Sequence, residues 1–170
     1  MAVNVLLPEV VLFVPVKLDI VENNVKSHHA IPHLVQMGEG AHQLEIVLFV
    51  PVQLDTLKTD VKIFCKNLGS MLAEVTSRSE IVFLRKNAKK YGENFWLGGL
   101  DRANEGVWLW TTRGQGFTVT DWHTRIAHQP NNQNGDEHCL NIYKRQDYEW
   151  NDGPCSRSLR CICEKPLVYF

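Results

Sequence analysis

Apolar residues at Leu57, Val61, Cys65 and Leu68 recur at helical spacing, with Asp55 or Thr56 placed to cap the start and Gly69 to stop the run. A second helix is predicted from Ser77-Arg-Ser-Glu80. This is a capping box: the serine oxygen accepts the Glu80 amide while the glutamate reaches back to the cap. Its apolar face runs through Ile81, Leu84 and Ala88 and ends near Gly92. The period then changes. Residues 95–97, 107–110, 140–143 and 159–164 form short apolar and aromatic runs that read as strands. Residues 111–137 are rich in Gly, Asn, Thr and His and hold no period, with GQG at 114–116 reading as a turn. So long an irregular stretch inside a compact domain is usually functional. Helices first and strands after predict an α+β domain.

Upstream, EVVLFVPVKLD at 9–19 returns as EIVLFVPVQLD at 45–55. Solenoid architectures need at least three such repeats, so this reads as a local duplication. Two copies cannot fill one strand position; the second is assigned to the sheet and the first to an accessory strand or a loose leader. All five cysteines lie at or after position 65 and all five tryptophans between 96 and 150. The expected organisation is a leader over 1–44, a packed domain over 45–166 and a tail over 167–170.

Composition narrows the function. With 44% hydrophobic residues the 170-residue chain is not a disordered tail protein. A net charge of −1 gives no support to nucleic-acid binding. The longest apolar runs, 10–16 and 46–52, contain proline and fall far short of the roughly 20 residues of a membrane-spanning helix; no membrane insertion is expected. The amino terminus has no basic segment and carries Glu9 within its apolar stretch, which is not a clean secretory signal.

Several short signals follow one another in order: FWLGG (95–99), EGVWLW (105–110), QPN (129–131), EHC (137–139), WND (150–152), Cys155 and CICE (161–164). With the helix around Cys65 and the capped helix after it, this series resembles the C-type lectin-like domain, and in particular its short, single-domain invertebrate members, over about residues 45–166. The resemblance implies an α+β fold of two helices on small antiparallel sheets, with a long binding loop and disulfides Cys65–Cys163 and Cys139–Cys155. In the chain-entropy model, bridges closing loops of these sizes contribute about 4–5 and about 3 kcal/mol. Disulfides persist outside the reducing cytosol, so secretion is expected despite the poor signal. Cys161 departs from the family pattern. It reads as a buried thiol, as an intermolecular disulfide partner, or as part of a zinc site with Cys155, Cys163 and a histidine.

Carried over by position, the resemblance implies Ca²⁺ ligands at Gln129, Asn131, Glu137, Asn151 and Asp152, the same five residues also holding the sugar. Hard oxygens from carboxylates and amides are what Ca²⁺ takes. Each amide keeps N–H groups to donate to a sugar, and each carboxylate can accept from a hydroxyl. The resemblance also implies a cis peptide before Pro130. QPN mixes the family's EPN and QPD triplets and has no acid, leaving two carboxylates, Glu137 and Asp152, and hence weak calcium binding; Gln129 leans the sugar preference toward galactose over mannose. The run 122–129 is longer than the family's and lacks its customary glycine. An auxiliary calcium site has partial matches at Asp101, Glu105 and Asn132, with Glu137 shared and His138 replacing an acid; the alternative is a solvated 101–105 loop. Trp122 and Tyr148 are candidates to stack on a sugar. Trp96, Trp108 and Trp110 belong to the core, Trp150 anchors the strand of Asn151 and Asp152, and His123 and His128 read as exposed loop residues.

The expected function is calcium-dependent binding of galactose- or mannose-type glycans, with microbial recognition in innate immunity as the role the resemblance suggests, and no catalysis. Single sugar sites are weak, so clustering, for instance as a homo-oligomer, would supply avidity. The alternative is a protein-binding module of the same fold with a degenerate calcium site.

Overall fold

The computed structural model describes residues 33–36, 45–50 and 61–166. In chain order the elements are strands β1 (His33–Gln36) and β2 (Glu45–Val50), helix α1 (Val61–Asn67), strand β3 (Met71–Leu72), helix α2 (Arg78–Tyr91), strands β4 (Phe95–Leu100), β5 (Leu109–Trp110), β6 (Cys139–Tyr143), β7 (Glu149–Gly153) and β8 (Arg160–Pro166). Among the described residues they make one sheet in the order β1-β2-β8-β4-β6-β7, with β3 on β8 and β5 on β4. Every pairing is antiparallel except β4 with β8.

Local chemistry explains the helices. At Ser77 the side chain accepts the Glu80 amide at 3.2 Å, and Glu80 Oε2 accepts the Ser77 amide at 3.1 Å. This satisfies donors that the first turn leaves without partners. At the other end Gly92 takes the left-handed conformation and its N–H bonds the Ala88 carbonyl, the glycine stop. Ile81, Leu84 and Ala88 are buried on the inner face, and each large side chain so removed from water contributes about 1.5–3 kcal/mol. Helix α1 ends where Gly69, also left-handed, turns the chain; its expected cap at Asp55 or Thr56 lies outside the described residues.

The second copy of the duplicated segment contributes β2, which runs between β1 and β8, Leu48 facing Cys163 in the register. The first copy lies outside the described residues. β1 itself falls within the segment expected to be a leader. β3 was not expected: two residues are too short to show an alternation.

Both disulfides are formed, Cys65–Cys163 tying α1 to β8 and Cys139–Cys155 tying β6 to the turn after β7. Cys161 is a free thiol, fully buried beside the first bridge, and burial pushes its pKa up to about 12. The buried-thiol reading is therefore the one that holds. An intermolecular disulfide needs a surface sulfur, and a zinc site would need Cys155 and Cys163, both of which are in disulfides.

The main core gathers Phe95, Leu97, Trp108, Trp110, Leu140, Ile142, Trp150 and Ile162 between α2 and the sheet. Phe117 stacks on Trp110 with centroids 4.1 Å apart, drawing the irregular segment onto it. This packing leaves no room at Gly99: a Cβ there would meet Phe117 Cζ at 2.5 Å and Leu140 Cβ at 2.9 Å. Gly99→Ala is expected to cost about 1–3 kcal/mol by overpacking, read as a lower urea midpoint with an unchanged slope.

Candidate functional site

Strands β6 and β7 form a hairpin in which Leu140 faces Asp152 and Asn141 faces Asn151. It presents Asn151 and Asp152, both buried, with Asp152 at 0% exposure. The irregular segment is fastened across it. Trp150 N–H bonds the Asp121 carbonyl at 2.8 Å and His123 N–H bonds the Trp150 carbonyl at 3.0 Å. Further on, Asp152 Oδ2 accepts the amides of Asn131 at 3.0 Å and Asn132 at 2.6 Å.

The expected ligands lie along this seam. Asn131 Oδ1 and Glu137 Oε2 both accept the Gln133 amide, at 3.2 and 3.1 Å, and the Glu137 amide bonds Asn132 Oδ1 at 2.9 Å. Asn131, Glu137 and Asp152 are thus brought onto one stretch of backbone. Asn151 Nδ2 bonds the Asp152 carbonyl. The Gln129–Pro130 peptide is cis, and the Gln129 amide bonds the His123 carbonyl at 2.8 Å.

Several buried side-chain atoms lack a hydrogen-bond partner, among them both amide atoms of Asn141, and two belong to expected ligands. Gln129 Oε1 and Asp152 Oδ1 are buried, and neither has a hydrogen-bond partner. A buried acceptor without a donor is costly, and a carboxylate more so. Burial also raises the carboxyl pKa of Asp152 and of Glu137, where the neighbouring Asp152 charge adds to the effect and the Gln133 amide opposes it. The nearest cation to Glu137 is Arg157, at 3.9 Å. Hard oxygens, two buried carboxylates and two uncommitted acceptors are a donor set that fits Ca²⁺.

The aromatic candidates sit differently. Tyr148 is 7% exposed and part of the main core, so its ring offers no face to a sugar; the sequence shows its proximity to Asn151 but not the turn that rotates it inward. Trp122 is half-buried against the core, its ring 4.9 Å from Trp108 and 5.8 Å from Trp150. Trp96, Trp108 and Trp110 are core residues, and Trp150 is buried in the strand that carries Asn151 and Asp152.

His123 overturns the expectation of an exposed loop histidine, being 3% exposed; His128 is exposed. His123 Nδ1 lies 2.7 Å from Glu149 Oε2, and its Nε2 accepts the Ile126 amide at 3.3 Å. That pattern places the proton on Nδ1. Its backbone bonds both Trp150 and Gln129. It is a positioning residue for the Gln129 loop that the sequence did not mark; a glutamate 26 residues away is not a readable signal. Buried Glu74 plays a similar part at the segment's start, accepting the Thr112 amide at 2.7 Å and pairing with Arg113 at 3.3 Å.

The auxiliary residues form a second group. Asp101 is 2% exposed, and its Oδ2 accepts the Gly106 amide at 2.9 Å. Its Oδ1 lies 3.1 Å from His138 Nδ1, which is 3.4 Å from Glu105 Oε2. Asn132 Nδ2 donates to Glu105 Oε2 at 2.6 Å. Asp101 is therefore not part of a solvated loop.

Residues 58–165 match the family model described as the lectin C-type domain. The chain belongs to the C-type lectin domain family. Perlucin of Haliotis laevigata is 39% identical over 110 residues, covering 62% of this chain and 67% of that protein. Human C-type lectin domain family 4 member K is 37% identical over 105 residues, 62% of this chain but 31% of that longer protein. Among solved structures, the mouse scavenger receptor C-type lectin carbohydrate-recognition domain superposes with a TM-score of 0.66 at 25% identity, covering 83% of this chain and 99% of that one. Herring type II antifreeze protein gives 0.63 at 29%, covering 78% and 95%. Lectin domains of this family generally bind carbohydrate and Ca²⁺, while the antifreeze neighbours, one of them calcium-independent, show that the fold also carries other roles.

The buried carboxyls of this lectin domain have a pH signature. Their folded pKa values are raised, so the folded state holds protons more tightly than the unfolded chain and stability falls as pH rises through that interval. In chelator, Asp152→Asn and Glu137→Gln are expected to flatten the decline of Tm as pH rises above the ordinary carboxylate range, about pH 4; thermal scans from there to neutral pH measure it.

Proposed function

We propose that this lectin domain binds carbohydrate through Ca²⁺ held by Gln129, Asn131, Glu137, Asn151 and Asp152. The observation that carries the reading is the pair of buried oxygens, Gln129 Oε1 and Asp152 Oδ1, that no protein donor satisfies. When bound, Ca²⁺ would supply open coordination positions for two vicinal sugar hydroxyls. The chain's own residues do the rest. Asp152 Oδ2 is committed to the 131–132 amides and fixes the loop, leaving Oδ1 for the ion. The side-chain N–H groups of Gln129 and Asn131 are donors for sugar oxygens, and Glu137 is an acceptor.

With two carboxylates in the set, affinity for the ion belongs at the weak, extracellular end of the range. The two disulfides support a location outside the reducing cytosol, and we take the protein to be secreted, with residues 45–166 as the lectin unit and 1–44 as a leader. Gln129 favours galactose-type over mannose-type glycans, including those on microbial surfaces, and clustering of copies would raise avidity.

Millimolar Ca²⁺ is expected to raise Tm and EDTA to reverse the rise. The protein should be retained on galactose- or mannose-agarose and released by chelator, and Asp152→Asn should abolish retention. No Tm response at 10 mM Ca²⁺ together with no retention would favour a protein-binding member of the fold. Gln129→Glu adds a third carboxylate and should tighten calcium binding by about tenfold and move preference toward mannose, as read by calorimetry and by competition between the two sugars.

A further inference from the structure

At the auxiliary position the donors do not suit the family's calcium. His138 Nδ1 occupies the middle of the group, 3.1 Å from Asp101 Oδ1 and 3.4 Å from Glu105 Oε2, and the three donor atoms lie within 4.8 Å of one another. Ca²⁺ takes oxygen ligands, whereas imidazole suits zinc and its neighbours in the first transition row. We propose that Asp101, Glu105 and His138 form a zinc-type divalent site in place of an auxiliary calcium site.

The spacing agrees. Four-coordinate zinc with bonds of about 2.0–2.1 Å has donors about 3.3 Å apart around the tetrahedron, close to both distances from the imidazole. The surroundings hold the ligands in place, as metal sites require. The Gly106 amide fixes Asp101 through its other oxygen, and Asn132 Nδ2 bonds Glu105 Oε2, the donor oxygen itself, through a lone pair that leaves its second one for the ion. The Asp101 carboxylate is fully buried, and its one ion-pair partner among the described residues is that imidazole, so positive charge is otherwise scarce there. Glu105, with a side chain 53% exposed, leaves a route from solvent and a fourth position for water. The other compact group among the described residues, Cys65 with Cys161 and Cys163, is unsuitable because two of its sulfurs are bonded to each other.

The site is separate from the sugar reading and is tested separately. The oxidised full-length protein, stripped with chelator, is titrated with ZnCl₂ and with CaCl₂ by calorimetry. Wild type should bind one equivalent of zinc that His138→Asp loses and Glu105→Gln weakens by about tenfold or more. Asp152→Asn should keep that equivalent while losing the calcium response, so failure of one site is distinguishable from failure of the other. His138→Asp, now all oxygen, should gain a calcium equivalent. No zinc binding by wild type, or zinc binding unchanged in His138→Asp, overturns the proposal. Should His138→Asp fail to fold, unchanged affinity in the exposed-position variant Glu105→Gln overturns it equally.

Discussion

A buried carboxylate holds this domain's irregular half to its regular half. Asp152 emerges from a strand whose hydrogen bonds and neighbours are set by the sheet, and one of its oxygens gathers two consecutive amides of the 129–137 loop. Burying a charge is unfavourable unless it is well partnered. Here one oxygen is partnered twice and the other has no hydrogen-bond partner, so the carboxylate that fixes the loop also carries an uncommitted acceptor.

The local features of the fold were legible because they rest on short-range chemistry. A serine three residues before a glutamate makes a capping box whatever packs above it, and Gly92 ends the helix for a reason internal to the backbone. The order of the motifs carried the disulfides. What escaped depends on tertiary geometry. Tyr148 follows a left-handed residue and is itself at positive φ, which turns its ring inward, and no pattern in the sequence announces that. His123 lies in a polar stretch that looks solvated, yet its partner Glu149 is on another strand. β3 is held by its pairing with β8 and not by a propensity of its own.

Charge balance around the loop separates two kinds of acid. Asp147, on the surface, is surrounded by Lys89, Arg85 and Arg125, and the Lys89 hydrogen bond leads the effects that hold its carboxyl pKa below the ordinary value. Such exposed pairs contribute little to stability. Glu137 and Asp152 lie in the opposite regime, where desolvation is the largest influence. Structural neighbours of this fold include a carbohydrate-recognition domain and an antifreeze protein, so the same scaffold is reused in proteins of different roles.

The aromatic residues next to the seam have a spectroscopic consequence. Trp122 and Trp150 pair through their backbones as an isolated parallel bridge, and their rings stand 5.8 Å apart, nearly perpendicular. One of these indoles directly precedes His123 and the other directly precedes Asn151. Any tightening or loosening of the loop therefore changes the polarity felt by an emitting ring and its coupling to a quenching neighbour, giving the molecule a built-in fluorophore that reports on its own loop without a label.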